Sequence, residues 1–413
     1  MNATLRSHSI LIMNRAIHAV LPDEAVFRAL KGKHFSGRVI LVAAGKAAWQ
    51  MAKAAHDCLG SRIERGIVIT KYGHVNGPIA DFTCLEGGHP IPDENSFRAT
   101  RSAVDLVRGL SAQDTVLFLL SGGGSALFED PLVPSDELQD ITAQLLSCGA
   151  DITEINTIRK RLSSVKGGRF AALCAPARVF SVILSDVLGD PLDMIASGPA
   201  AVDRSTCTQA LAIAEKYRLR LSAHSQLLLQ RETPKTLDNV ETHITGSVRE
   251  LCTAAEKACR ALGYRTTILT DRLCCEAKDA GAYLASVAKQ HADTTVPLAF
   301  LAGGETVVRL TGSGKGGRNQ ELALSAAEGI AGLDNVVLFS FGSDGTDGPT
   351  DAAGGIVCGN TAADLSALGT EIADVLEKND SYHALAAVDG LLFTGPTGTN
   401  VNDLAVVLIA SKQ

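Results

Sequence analysis

The residues best suited to chemistry in this chain are cations set into glycine turns. AAGKAAW places Lys46 directly after Gly45, where the apolar run RVILVAA (38–44) gives way to an Ala-rich helical pattern. A helix N-terminus offers unpaired N–H groups and partial positive charge to an anion, and a lysine there adds a point charge for phosphate. SGGGSALF (121–128) puts Ser121, Gly122, Gly123, Gly124 and Ser125 after the apolar run TVLFLL. Consecutive glycines in that position form a concavity whose N–H groups can cradle an anion. A nucleophile elbow fails on detail, because G-x-S-x-G needs glycine where Leu127 stands. ETVVRLTGSGKGGRNQELAL (305–324) reads as strand, glycine-rich loop and helix, with Lys315 and Arg318 in or beside the loop. It is not a Walker A loop, since Arg309 occupies the first glycine position and Gly316 follows Lys315. Gly312, Gly314 and Gly317 satisfy G-x-G-x-x-G, which alone is a weak sign of a dinucleotide. A dinucleotide would want an acid at the end of the next strand, yet VVLFSF meets no carboxylate until Asp344, so a triphosphate or a transferring phosphoryl group suits the loop better. Solvated cations and close strand–helix packing without a ligand explain the same residues.

Carboxylates cluster after two further apolar runs. SDVLGDPLD carries Asp186, Asp190 and Asp193, and SDGTDGPTDAAGG carries Asp344, Asp347 and Asp351. Magnesium usually takes one or two carboxylates together with phosphate oxygens and waters, so such strand-end aspartates could hold it. Asx-turns that only shape the loops are the plainer alternative for each one. INTIRKRLSSVKGGRF (155–170) carries Arg159, Lys160, Arg161, Lys166 and Arg169, a run that an exposed helix face would explain. Arg159 and Lys166 also hint at a site for a substrate carboxylate. His89, in EGGHPIPDENS, reads as a loop-structuring histidine, and Asn400, Asn402 and Asp403 as a turn into the last strand.

Positioning these residues calls for alternating strands and helices. Apolar runs at 38–44, 66–70, 115–120 and 178–185 alternate with helical patterns, one of them capped by Asp93 or Asn95. That alternation predicts parallel pairing and a wound α/β sheet, with ligands beyond the carboxyl ends of strands. A chain of 413 residues exceeds one ordinary core, and the polar, Pro-bearing RETPKTLDN (231–239) suggests a boundary. Two α/β domains are expected, 1–236 and 237–413, the second opened by VETHIT and closed by LAVVLIA. A net charge of −7 argues against nucleic acid as a partner. Ten scattered cysteines without paired C-x-x-C motifs argue against zinc and suit a reducing compartment. MNATLRSHSILIMNRAIHAV reads as a surface helix, not a signal peptide, and no apolar run approaches a membrane span. A soluble, cytoplasmic chain is expected, with a homo-oligomer left open.

The stretches AAGKAA, GGHPIPDENS, LLSGGGSAL, NTIRKRLSSVKGGR, LSDVLGDPLDMIASGP, GGETVVRLTGSGKGGRNQELAL, GSDGTDGPTDAAGG and GPTGTNVNDLAV together resemble the class II glycerate kinases, the glycerate 2-kinase family. Older members of that family carry the name hydroxypyruvate reductase. The matching stretches run in order from about Val42 to Leu404, nearly the whole chain. The resemblance implies an N-terminal Rossmann-like domain, a smaller C-terminal α/β domain and an active site in the cleft between them. It also implies ATP and Mg²⁺ as cofactors, glycerate as the small-molecule partner and 2-phosphoglycerate as product. The family's essential lysine and arginine map onto Lys46 and Arg318, which would stabilise the transferring phosphoryl group. Ser121, Gly122, Gly123, Gly124, Ser125, Gly312, Gly314, Lys315 and Gly317 would hold the nucleotide. Asp186 and Asp190 stand as metal ligands or base, and Arg159, Lys166 and Asn319 as glycerate contacts. An NAD(P)H-dependent hydroxypyruvate reductase would instead need a ribose-binding acid and a His–carboxylate proton donor. A non-catalytic sugar-phosphate sensing module would need a partner or DNA-binding segment. None of these is evident.

Overall fold

The structure is a computed structural model and describes residues 2–412. Two compact units emerge, Pro22–Thr245 and the pair of segments Met1–Leu21 and Gly246–Gln413.

In the first unit lie β1 (Val39–Ala44), β2 (Ile63–Lys71), β3 (Phe82–Gly87), β4 (Thr115–Leu120), β5 (Arg178–Leu184) and β6 (Val240–Gly246), in the order β3-β2-β1-β4-β5-β6. β1 runs parallel to β2 and β4, β2 to β3, and β4 to β5. This is the doubly wound order of nucleotide-binding sheets, with its switch point between the first and fourth strands. VILVAA and TVLFLL are buried along their whole length, as central parallel strands covered on both faces must be. Ile40, Val42, Phe118, Leu120 and Phe170 join the core that fixes their ends. VETHIT, expected to open the second domain, is β6 of this sheet. The division therefore falls at 245/246 and not at 236/237. RETPKTLDN stays within the first unit, where the Asn239 amide donates to the carbonyls of Ala171 (2.9 Å) and Ala177 (3.0 Å).

The second unit carries β7 (Arg265–Leu273), β8 (Leu298–Gly304), β9 (Val336–Gly342), β10 (Gly354–Cys358), β11 (Leu391–Leu392) and β12 (Asp403–Ile409), ordered β11-β10-β9-β12-β8-β7. Only β7 and β8 pair in parallel, whereas β12 is antiparallel to both β8 and β9, and β10 to β9 and β11. The expected parallel winding thus gives way here to a mixed sheet. A fully buried strand such as DLAVVLI looks the same in either direction, so its apolar pattern carries no polarity. Helix Ala3–Ala19 buries Leu5, Ile12, Met13 and Ala16 and packs on helix Val248–Ala261, so the chain's first helix belongs to this unit. Residues 305–310, expected as a strand, make a single bridge, Val307 with Glu276, and leave Leu310 80% exposed.

Candidate active-site residues

At the end of β1 the chain turns through Gly45 with φ at 125°. A Cβ there would collide with the hydroxyl and carbonyl of Ser121, so glycine alone lets the turns after β1 and β4 meet. They lock together through backbone: Ser121 N donates to Ala44 O (3.0 Å), Lys46 N to Gly122 O (2.8 Å) and Ala47 N to Ser121 Oγ (3.0 Å). Gly123 follows in the left-handed region, with φ at 84°. A methyl group on it would sit 3.0 Å from His89 Cδ2 and 3.1 Å from both His89 Nε2 and Lys46 Cγ. A methyl on Gly122 would strike the Asp186 carboxylate. Lys46, His89 and Asp186 therefore converge on the glycine turn. The same glycines, with Ser125, Asn156, Asp186, Met194 and Ala196, line a cavity of about 480 Å³.

His89 is carried by a loop pinned to the start of helix Glu94–Val107. Asp93 is the cap and accepts from Ser96 N (2.9 Å), while Gly88 N donates to Asp93 Oδ1 (3.0 Å) and Ser96 Oγ (3.1 Å). The Tyr72 hydroxyl donates to the second Asp93 oxygen at 2.6 Å. Burial, then the charges of Lys46, Lys71 and His74, hold the His89 imidazole below its ordinary value.

The basic stretch does not form the exposed helix face its composition suggests. Lys160 is 2% exposed, and Arg161 and Lys166 are 0% exposed. Lys166 Nζ donates to the carbonyls of Ser125 (2.8 Å) and Phe128 (3.2 Å) and lies 3.4 Å from Glu129. Arg159 Nη2 donates to Ser125 O (3.0 Å) and Glu129 (3.3 Å). Burial pulls the Lys166 ammonium down to about 8 against the attraction of Glu129. Lys166 is enclosed and its ammonium braces the segment that ends the glycine turn, which Arg159 holds through Nη2 while its Nε has no hydrogen-bond partner among the described residues. Lys160 bridges Asp193 (3.2 Å) and Asp203 (3.0 Å), which anchors the aspartate turn from behind. In that turn Asp190 adopts φ 53°, and its Oδ1 is buried without a hydrogen-bond partner among the described residues.

In the second unit Arg318 is the first residue of helix Arg318–Gly329. Its Nε and Nη2 donate to the two oxygens of Asp403 (2.5 and 3.1 Å) and its Nη1 to Glu305 (3.1 Å). Burial disfavours the guanidinium charge, but Asp403 and Glu305 outweigh it and raise Arg318 above its ordinary value. Burial in turn pushes the Asp403 carboxyl up to about 6, opposed by Arg318 and reinforced by Asp347. The side chain of Arg318 remains one-third exposed, so the ion pair orients the guanidinium without enclosing it.

The glycine loop before this helix behaves differently from its sequence reading. Gly312 N donates to Asn379 Oδ1 (2.8 Å), Gly314 N to Lys378 O (2.9 Å) and Lys315 N to Asp380 Oδ1 (2.9 Å). Those N–H groups are taken by the protein and do not stand open to a nucleotide. The Lys315 ammonium lies 4.1 Å above the Tyr382 ring. A Cβ on Gly317 would collide with Asp347, whose carboxylate accepts from Asn319 N (3.1 Å) and Gln320 N (2.8 Å). Asn319 is 1% exposed and also receives the Ser340 hydroxyl at 2.6 Å, so it supports the helix start instead of facing a ligand. Glu129 and Glu305 escaped the sequence reading as partners of cations. Asp403, read as part of a turn, opens a buried strand, and a carboxylate at the head of DLAVVLI was the available signal.

Among the described residues no three His, Cys, Asp or Glu side chains converge to hold a metal ion. A magnesium ion carried by nucleotide phosphates needs only one or two carboxylates. Asp186 beside Gly122 and the unpartnered oxygen of Asp190 fit that demand.

Comparison with known proteins gives a coherent picture. The family model described as a domain of unknown function, DUF4147, matches residues 9–230, and that of the MOFRL family matches 298–403. The D-glycerate 2-kinase of Thermotoga maritima is 53% identical over 412 residues, covering 98% of this chain and 99% of that protein. The glycerate 2-kinase of Pyrococcus horikoshii is 40% identical, covering 99% and 98%. A protein of Agrobacterium vitis provisionally named hydroxypyruvate reductase is 37% identical, covering 90% and 100%. Among solved structures, the glycerate kinase of Thermotoga maritima superposes with a TM-score of 0.95 at 52% identity, over 98% of this chain and 100% of that one.

Proposed function

Since the chain belongs to the glycerate 2-kinase family, we propose that it transfers the γ-phosphoryl group of ATP to the 2-hydroxyl of D-glycerate, releasing ADP and 2-phosphoglycerate. The observation that carries this reading is the interlocked pair of turns Gly45–Lys46 and Ser121–Gly124 at the switch point of the parallel sheet. Phosphoryl transfer asks little covalent chemistry of a protein and much positioning of positive charge and N–H donors. Lys46 supplies the charge, the glycine turn supplies the donors, and Arg318, aimed by Asp403 and Glu305, supplies a second cation for the transferring group. Of Ser121 to Ser125, assigned to the nucleotide phosphates, Ser121 N and Gly124 N already donate to Ala44 O and Ser121 O, so the donors offered to phosphate are the N–H groups of Gly122 and Gly123. Magnesium, when bound, neutralises phosphate charge, and Asp186 and Asp190 are the carboxylates that would hold it.

A reductase is not favoured. β2 ends in Lys71, where the ribose of NADH would call for a carboxylate. No helix among the described residues is long and apolar enough to cross a membrane. The ten cysteines are unbridged, which suits the reducing cytoplasm we assign to the protein. The test incubates purified protein with ATP, Mg²⁺ and D-glycerate, reads the product by ³¹P NMR, and runs NADH with hydroxypyruvate in parallel. ATP-dependent 2-phosphoglycerate is expected. Rapid NADH oxidation without any phosphorylated product would overturn the assignment.

A further inference from the structure

Building on the kinase reading, we propose that His89 is the general base that takes the proton from the attacking hydroxyl of glycerate. The imidazole edge formed by Cδ2 and Nε2 faces Gly123, at the same point that the stem of Lys46 reaches. A phosphoryl group drawn to Lys46 and the glycine turn is thereby brought beside a nitrogen that can accept a proton. A histidine that only structures its loop ties its ring to backbone groups. Here Gly88 N, Asp93 and Ser96 hold the loop, and among the described residues no hydrogen bond engages either ring nitrogen of His89.

The charged groups around the ring are Lys46 after β1, Lys71 at the end of β2, His74 in the loop that follows, and Asp186, whose carboxylate meets the turn at the neighbouring Gly122. The carboxylate favours a charged ring, but burial and the three cations lower the imidazole on balance, so the ring is neutral near pH 7 and free to act as a base. As the bond from the glycerate oxygen to phosphorus forms and the bond from phosphorus to the ADP oxygen breaks, the hydroxyl proton moves to Nε2. It returns to solvent after product leaves, and no further reactant is required.

The experiment measures kcat and KM for His89→Gln and His89→Ala across pH 5–9. A positioned base contributes on the order of 100-fold or more. Both variants should therefore lose at least about 100-fold in kcat at pH 7.5, with KM for ATP changed by less than about threefold. Wild-type kcat should fall on the acid side with a midpoint below the ordinary histidine value of about 6.5, and that limb should vanish in the variants. A folded His89→Gln with less than a tenfold loss, or with the acid limb intact, overturns the proposal. So does wild-type activity that rises on acidification, which would mark a cation for phosphate instead of a base. If neither variant folds, carbethoxylation of His89 in the wild type decides. It should abolish activity and be blocked by glycerate with ADP, and modification without loss of activity overturns the role. An inactive wild type would bring down the kinase reading and this inference together, whereas active variants of an active wild type bring down this inference alone.

Discussion

Two glycine-rich turns, Ser121–Gly124 and Gly312–Gly317, look alike in sequence and do opposite work in the structure. In the first, side chains that carry chemistry crowd the glycines: Asp186 at Gly122, and His89 and Lys46 at Gly123. In the second, Gly312 and Gly314 let backbone meet backbone. A Cβ on Gly312 or Gly314 would run into the main chain of Lys378, and the N–H groups of Gly312 and Gly314 are already bonded to Asn379 and Lys378. Glycine therefore marks close approach without saying what approaches. The N–H groups and the neighbouring side chains decide whether a turn is a cradle or a seam.

The comparison is tested most severely through the cation each turn accompanies. If Lys46 and Arg318 both stabilise charge on the transferring phosphoryl group, Lys46→Met and Arg318→Met should each lower kcat/KM by about 3–5 kcal/mol of transition-state stabilisation. The double variant should be little worse than the worse single one, because groups that act as a unit are not additive. Removing Arg318 also strands the buried Asp403, so melting must be followed and Arg318→Met compared with Arg318→Met/Asp403→Asn. A loss below tenfold in either stable single variant would reduce that residue to a structural ion pair.

Much of this was legible in the chain. The parallel first sheet, a cap at one of Asp93 and Asn95, which the structure resolves as Asp93, and the turn at Lys46 follow from alternation, capping chemistry and the run of glycines. What was not legible depends on long-range partners. Arg159, Lys160, Arg161 and Lys166 look like a solvated face until Glu129, Asp203 and Asp193 arrive from other segments to pair with them, leaving Lys160, Arg161 and Lys166 buried and Arg159 half-buried. The antiparallel insertion of β12 and the attachment of helix Ala3–Ala19 to the second unit are likewise decided by which face finds a partner, information that no local period holds.

The buried cations behind the first turn sharpen the contrast. Lys166→Met removes the ammonium under Ser125 and leaves Glu129 buried beside Arg159 alone, a loss of about 3–5 kcal/mol in stability. Lys166→Met/Glu129→Gln should recover part of it, and urea unfolding of both measures the difference. An unchanged midpoint in Lys166→Met would mean that the turn needs no such brace.

Substituting the glycines themselves should separate the two turns by readout. Gly312→Ala forces the Lys378 backbone to move and should cost about 1–3 kcal/mol of stability, as overpacking does. Gly123→Ala meets movable side chains, so its stability cost should be nearer 1 kcal/mol, from a left-handed φ. Its kcat should fall by more than tenfold because the methyl displaces His89 and Lys46. Equal melting and equal activity in the two variants would erase the distinction between cradle and seam.

The smallest expected effect lies at the cap that holds the His89 loop. Asp93 accepts from Ser96 N, Gly88 N and the Tyr72 hydroxyl. Losing a helix cap costs about 1 kcal/mol, so Asp93→Ala should lower the unfolding free energy by about that amount at pH 7. Burial pushes the Asp93 carboxyl upward, but the bonds from Tyr72, Ser96 and Gly88 outweigh it and hold the group below its ordinary value. The stabilisation from its charge is therefore complete above the unfolded value of about 3.9 and is lost as pH falls through the lower folded one. The gap between wild type and Asp93→Ala should shrink on acidification below pH 4, and Asp93→Asn, which still accepts at the cap, should lie between them. If the gap stays constant from pH 7 to pH 3, the neutral bonds of the cap hold the loop and the carboxylate charge contributes nothing to it.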